Sequence, residues 1–452
     1  MTIRPPTAPL DRTLMAGRIG QFGLAYFAFS VFYGPAQANQ GLLVILAALL
    51  LGKAINFGKL LRDPLFITSG LFLAYLLIRT LAVLPEEPDR HKLIVDYATD
   101  WALLALLPAL LVAAACRGGR LRPFHLLGLA VAGFFLKILL KFDWAHIGAY
   151  LETMLRLQGK RATFGFSSIN LACWALFLLI GLIIYGDDYL RHQSRVRNCI
   201  NLFMLIPALL FLVFIIIIAK SRTIWLLSGL FIPSCIFMQF SAATRSGRQA
   251  IAVIVILVLL IPAYFLATHP AFFQNRLMRE NAVIASIIDS DDRDVPPTSV
   301  GRRYYMIRVF LENAGTRPVF GWGPGLSKQL LERSELPDMR KVDHFHNIYI
   351  EILLQLGLVG FGLFAAMFAV LTRAVFTVRL PDSESRKLRW FLCCSLLAFG
   401  LTGLLNNPLW SSATPYFFAL LGGIAYTPRA HAYLSAAAPA IPSHGNDPDD
   451  RG

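Results

Sequence analysis

Along most of this 452-residue chain the apolar positions do not alternate with polar ones; they gather into continuous runs, of which LFMLIPALLFLVFIIII at 202–218 is representative. A run of about 20 apolar residues is long enough to cross a bilayer as a helix, whereas a membrane β-barrel shows short alternating segments. The pattern predicts an all-α, polytopic integral membrane protein. About twelve transmembrane helices are expected, at about 18–37, 41–58, 66–84, 99–115, 124–141, 168–186, 199–219, 223–241, 250–268, 347–372, 389–405 and 409–427.

The apolar pattern is interrupted at length only over 269–346. The chain therefore divides into a transmembrane bundle at 1–268, a large loop at 269–346, C-terminal transmembrane helices at 347–430 and a polar, disordered tail at 431–452. Inside the loop, GRRYYMIRVFLENAG reads as a short helix with Tyr305, Met306, Val309 and Phe310 on one face. TRPVFGWGPGLSKQLLERSELP reads as a glycine turn followed by another helix.

Composition agrees with a membrane protein: 56% of residues are hydrophobic and only 15% charged. The formal net charge of +15 could suit nucleic acid, but the basic residues fall on alternate connections. Lys53, Lys59 and Arg62, then Arg117, Arg120 and Arg122, then Arg191, Arg195 and Arg197, then Arg245 and Arg248, then Arg379, Arg386, Lys387 and Arg389 form a positive-inside series. It predicts both termini in the cytoplasm and the long loop outside, with no nucleic-acid partner. The N-terminal MTIRPPTAPLDRTLMAGRIG has no apolar core before a cleavage site, so no signal peptide is expected. The six cysteines lie in or beside apolar runs, which argues against a disulfide framework.

Several cations break the series by lying at outer helix ends: Arg79, Lys137 and Lys141, and the tight turn with Lys220 and Arg222. Each alone could snorkel to lipid headgroups. Together with Arg156, Lys160, Arg161, Arg302 and Arg303 they suggest a basic, outward-facing cavity that holds a phosphorylated ligand. Gly321, Gly323 and Gly325, with Pro324, could offer backbone amides to an anion or could be turn chemistry alone. The Gly-Lys-Ser/Thr ending of a P-loop is missing.

His344 and His346 stand where the loop enters the next span. A neutral imidazole there could take a proton from a sugar hydroxyl, and nearby cations would keep its pKa low. Interfacial decoration is the alternative, and at most one of the two is expected to do chemistry. Asp343, His344 and His346 are too few for a recognisable zinc site, and the acidic DSDDRD stretch, with Asp289, Asp291, Asp292 and Asp294, reads as a solvated loop rather than a cation site.

RRYYMIRVFLENAGTRPVFGWGPG followed by HNIYIEILLQLGLVG resembles the signature of the O-antigen ligase family, and SRT at 221–223 resembles a second motif of that family. The resemblance implies a GT-C-like lipid-sugar glycosyltransferase of the Gram-negative inner membrane, metal-independent and without a cofactor. Such enzymes move a glycan en bloc from undecaprenyl diphosphate to a sugar of lipid A–core at the periplasmic face, so the partners implied are that donor, that acceptor and membrane lipids. On this resemblance Arg222 and Arg303, or Arg302 in the alternative register, hold the diphosphate, and His346 activates the acceptor hydroxyl. The supporting contacts expected around them come from Lys220, Arg79, Lys137, Lys141, Gly323, Gly325, Asn347 and His344. Family members often carry a tryptophan one turn after the arginine, where this chain has Tyr304 and Tyr305 nearby.

The chemistry is consistent with that expectation, because displacement at an anomeric carbon builds negative charge on the departing diphosphate, and arginines stabilise it. Backside attack with His346 as base would invert the sugar. An O-antigen polymerase or protein O-oligosaccharyltransferase would use a similar donor. A transporter or flippase of lipid-linked oligosaccharide is the rival from another class, but transporters place their unusual polar residues at mid-membrane on broken helices, whereas here they cluster at outer ends.

Overall fold

The structure is a computed structural model that describes residues 12–117, 121–146, 163–190, 195–242, 295, 298–335, 339–377 and 382–434, with isolated positions at 148 and between 256 and 270. Among these residues the chain is helical, and its one bridge pairs Ile55 with Leu434. The helices are α1 (Arg12–Ser30), α2 (Pro35–Leu51), α3 (Pro64–Val83), α4 (His91–Leu103), α5 (Leu107–Arg117), α6 (Pro123–Lys141), α7 (Ser168–Leu190), α8 (Arg195–Ile218), α9 (Arg222–Ala242), α10 (Ser299–Ala314), α11 (Leu326–Arg333), α12 (Ile348–Thr377), α13 (Asp382–Leu405) and α14 (Thr414–Tyr426).

Eight helical segments among the described residues are long and apolar enough to cross a membrane: 64–83, 88–117, 123–141, 168–186, 201–218, 222–240, 348–377 and 383–405. The chain is a multi-pass membrane protein by this measure, helical over the described residues. The expectation of about twelve is not reached within the described residues, and the span expected at 250–268 lies mostly outside them. The first two expected spans are displaced toward the N-terminus. Tyr33 and Gly34 form the break between them, because Pro35 lacks the amide a continuing helix needs and suits a helix start. The last expected span contains only the 13-residue α14, since its first residues form a short 3₁₀ turn at Pro408–Trp410.

One continuous apolar core joins the long helices. Phe32, Trp174, Phe177 and Phe417 pack ring against ring within it, with ring centroids 4.6–5.7 Å apart between neighbours. A second, smaller core belongs to the loop: Tyr305, Met306 and Val309 of α10 bury against Leu330 and Leu331 of α11, Phe345, and Ile350 and Leu354 of α12. The apolar face expected on α10 is therefore its packing face, with Phe310 at its margin. At the other end of the bundle Asp63 caps α3 through the Leu65 amide (2.9 Å) and accepts the Tyr426 hydroxyl (2.9 Å).

Helix directions identify which ends meet. Cys173 near the start of α7 touches Thr402 near the end of α13, and Gln239 late in α9 donates to the Ile183 carbonyl late in α7 (3.0 Å). Thus α7 and α9 start where α13 ends. Asn347, at the start of α12, donates to the Leu404 carbonyl (3.0 Å), so α12 starts there too.

Candidate functional site

The site is built on a break in α12. Gly357 has φ 65° and ψ −169°, a backbone conformation essentially confined to glycine. The break frees backbone groups on both sides, and the loop between α10 and α11 takes them up. Leu358 and Val359 donate to the carbonyls of Pro318 and Val319 (2.9 and 3.1 Å), while Trp322 and Gly323 donate to those of Leu354 and Gln355 (2.6 and 2.9 Å). From α3, the Tyr75 hydroxyl reaches the Leu356 and Phe320 carbonyls (2.5 and 3.2 Å), and Arg79 donates to Phe320 and Gly321 (3.0 and 2.6 Å). A glycine-rich loop inserted into a broken helix thus satisfies backbone groups that a membrane cannot.

This arrangement gives the three expected glycines a packing role. Their φ values of 69°, 120° and 76° at Gly321, Gly323 and Gly325 all lie in the left-handed region. A Cβ on Gly323 would meet Val83 at 2.8 Å. All three amides are bonded inside the protein, Gly325 to the Gln355 side chain at 2.9 Å. Arg79, expected at the ligand, has its guanidinium on two carbonyls of the same loop.

Below the loop lies a node of buried polar side chains: Glu351 and Gln355 one turn apart on α12, and Ser327 on α11, each 1% exposed or less. Glu351 accepts from Ser327 (2.8 Å), from Gln355 (2.6 Å) and from the Phe345 amide (2.7 Å). The Gln355 side-chain oxygen accepts from the Trp101 indole of α4 (2.8 Å). Sequence reasoning missed these four residues. The signal was present, since a carboxylate and an amide one turn apart inside an apolar span are costly to bury and demand partners.

The node supports the stretch that carries His346. The next amide along, that of His346, is directed at the Met306 sulfur on α10 (3.5 Å). His344 and His346 stand edge to face, 4.9 Å between ring centroids. Burial pushes the His346 imidazole down to about 4, and His344, Arg303 and Arg302 act in the same direction. His344 is lowered by burial as well, opposed by Asp343. The structure therefore gathers His344, His346, Arg302 and Arg303 into one neighbourhood, with Arg303 half-buried and Arg302 exposed. Asp343 itself pairs with Lys328 (3.1 Å). Asn347 caps α12 by accepting the Tyr349 and Ile350 amides (2.8 and 3.1 Å).

Arg222 opens α9 and so lies at the same end of the bundle as His346. The Cys235 and Cys394 sulfurs, 4.0 Å apart, set the level: Arg222 lies roughly 20 Å above on α9 and Leu405 roughly 16 Å above on α13, at about 1.5 Å per residue. The turn before Arg222 is tight. Lys220 has φ 51° and is buried, and the Trp225 indole closes the turn onto the Ile216 carbonyl (2.9 Å). Lys137 and Lys141, late in α6, flank the loop that leads into α7, where the Lys137 ammonium sits 3.7 Å from the Phe166 ring centre. Arg156, Lys160, Arg161 and the DSDDRD stretch lie outside the described residues. Among the described residues no group of three or more His, Cys, Asp or Glu side chains gathers as a metal site would need.

The model of the O-antigen ligase family matches residues 207–365. The matched stretch takes in Arg222, Arg302, Arg303, the glycine loop, His346 and the break at Gly357. The resemblance drawn from the motifs is borne out by this match. No curated protein matches the chain.

Proposed function

From the premise that residues 207–365 belong to the O-antigen ligase family, we propose that this protein transfers a glycan from undecaprenyl diphosphate to a sugar hydroxyl of lipid A–core, on the periplasmic face of a Gram-negative inner membrane. The observation that carries the reading is His346, held neutral by burial and by the cations of α10 beside it.

In the transfer, a ring nitrogen of His346 accepts the proton of the acceptor hydroxyl as its oxygen bonds to the anomeric carbon. The bond from that carbon to the diphosphate oxygen breaks on the opposite face, and the electron pair leaves with the diphosphate. The sugar is inverted. Arg303 and Arg222 hold the departing charge, with Arg302 and Lys220 adding to the field. In the free protein the arginines depress His346; a bound diphosphate offsets them, so the base becomes stronger when the donor arrives. Lys137 and Lys141 extend the basic rim at the same end. His344 shields His346, and Asn347, Arg79, Gly323 and Gly325 shape the walls.

The test combines purified protein, lipid-linked glycan and lipid A–core in detergent, with a chelator and no nucleotide. The expected result is glycan joined to the core with inverted configuration. Lengthening of the donor glycan would instead mark a polymerase; no reaction in detergent, with donor moved across the bilayer when the protein is reconstituted in vesicles, would mark a carrier.

A further inference from the structure

Resting on the transfer reaction above, we propose that Glu351 is a positioning residue: by accepting the Phe345 amide, its carboxylate fixes the backbone that presents His346 to the acceptor hydroxyl.

Three features carry this. First, the two successive amides around His346 are both spent on side chains from different helices, the Phe345 amide on Glu351 of α12 and the His346 amide on Met306 of α10. The peptide between them is pinned from both sides, which sets where the imidazole stands relative to Arg303. Second, the three groups that reach Glu351 all donate: a backbone amide, the Ser327 hydroxyl and the Gln355 amide, at 2.6–2.8 Å. A pair of oxygens that only accepts is what such a site needs. A glutamine in that place would turn its own amide hydrogens toward a donor and lose one of the three contacts.

Third, the node reaches beyond the histidine. Gln355 couples Glu351 to the Gly325 amide and to Trp101 of α4, and Ser327 couples it to α11. A completely buried group therefore joins the glycine loop, the break in α12 and the His346 stretch, while its atoms never touch the substrate. Its effect on the reaction passes through His346.

The experiment compares Glu351→Gln, Glu351→Asp and the unmodified protein, full chain in detergent. Glu351→Gln is expected to lower kcat about tenfold or more, since small misplacements of a catalytic group carry costs of that order. Donor KM should stay within about twofold, because the arginines are untouched. Glu351→Asp should recover part of the loss. Independently of turnover, diethyl pyrocarbonate modification of His346, read by mass spectrometry, should be several-fold faster in Glu351→Gln, with exposed His431 as the reference. Unchanged kcat with unchanged His346 reactivity would overturn the proposal. So would a loss of kcat matched by a rise in donor KM and unchanged His346 reactivity. If the unmodified protein transfers nothing, the function reading fails alone, and the His346 reactivity comparison still decides the positioning. Should Glu351→Gln not fold, Ser327→Ala removes one donor, leaves the carboxylate, and is held to the same criteria with a smaller expected shift.

Discussion

Gly321 and Gly357 pack backbone against backbone: a Cβ on Gly321 would stand 2.6 Å from the Gly357 amide nitrogen, and both residues have positive φ, 69° and 65°. One glycine lies in the loop before α11 and the other in the break of α12, so the glycine loop and the broken helix lock each other in place.

Gly357→Ala should therefore damage the protein twice over. The backbone conformation costs a residue with a Cβ about 1–3 kcal/mol, and the added carbon has no room beside Val319 and Gly321. The expected outcome is a lower thermal midpoint in detergent together with loss of transfer. A variant as stable as the parent would show that the loop can withdraw from the break.

Arg79→Ala separates support from ligand contact. Loss of two charge-assisted bonds to the Phe320 and Gly321 carbonyls should cost about 1.5–3 kcal/mol of stability. Donor affinity should change little. Weaker donor binding at an unchanged unfolding midpoint would place the guanidinium at the ligand instead.

The pH dependence follows from His346. Burial, with His344 and the arginines beside it, pushes its imidazole from the ordinary histidine value down to about 4, so the neutral, proton-accepting form is lost only as pH falls through about 4. Accordingly kcat/KM, which reports the free protein, should stay flat down to about pH 5. The acid limb of kcat should lie higher, because bound diphosphate offsets the arginines. Arg302→Ala removes one like charge and should raise the kcat/KM limb. A limb that falls near pH 6.5 in the parent and does not move in Arg302→Ala would remove these cations from the control of His346.

His346→Ala and Arg222→Ala should each abolish capped lipopolysaccharide in cells while the protein still reaches the membrane. Arg303→Lys keeps a charge but loses the planar fork, so a severe, incomplete defect is expected. Normal capping on a gel with any of the three removes that residue from the mechanism.

Much of the architecture was legible before any coordinates. Continuous apolar runs can be read only as spans, because unsatisfied backbone in lipid leaves helices as the solution. The spans at 168–186 and 222–240 were recovered to within a residue or two, as was the apolar face of α10. The Tyr33–Pro35 break was misjudged, since hydropathy there hardly changes and only the proline marks the boundary. The glycine run announced a special backbone but not its purpose. Turn chemistry and anion binding call for the same residues, and only the contacts with α12 show that these amides are already occupied.

Sequence alone determined that the chain is a helical membrane protein, with cations and imidazoles concentrated at particular helix ends, because hydropathy and residue chemistry are properties of local stretches. Which of those groups meet was decided by tertiary structure. The neighbourhood of His346, Arg302 and Arg303 depends on how α10 docks beside α12, and the commitment of Arg79 to carbonyls depends on a loop some 240 residues away. The Glu351 node likewise joins residues from α4, α11 and α12 that no local pattern links, because hydrogen bonds between distant segments are set by the packing of whole helices.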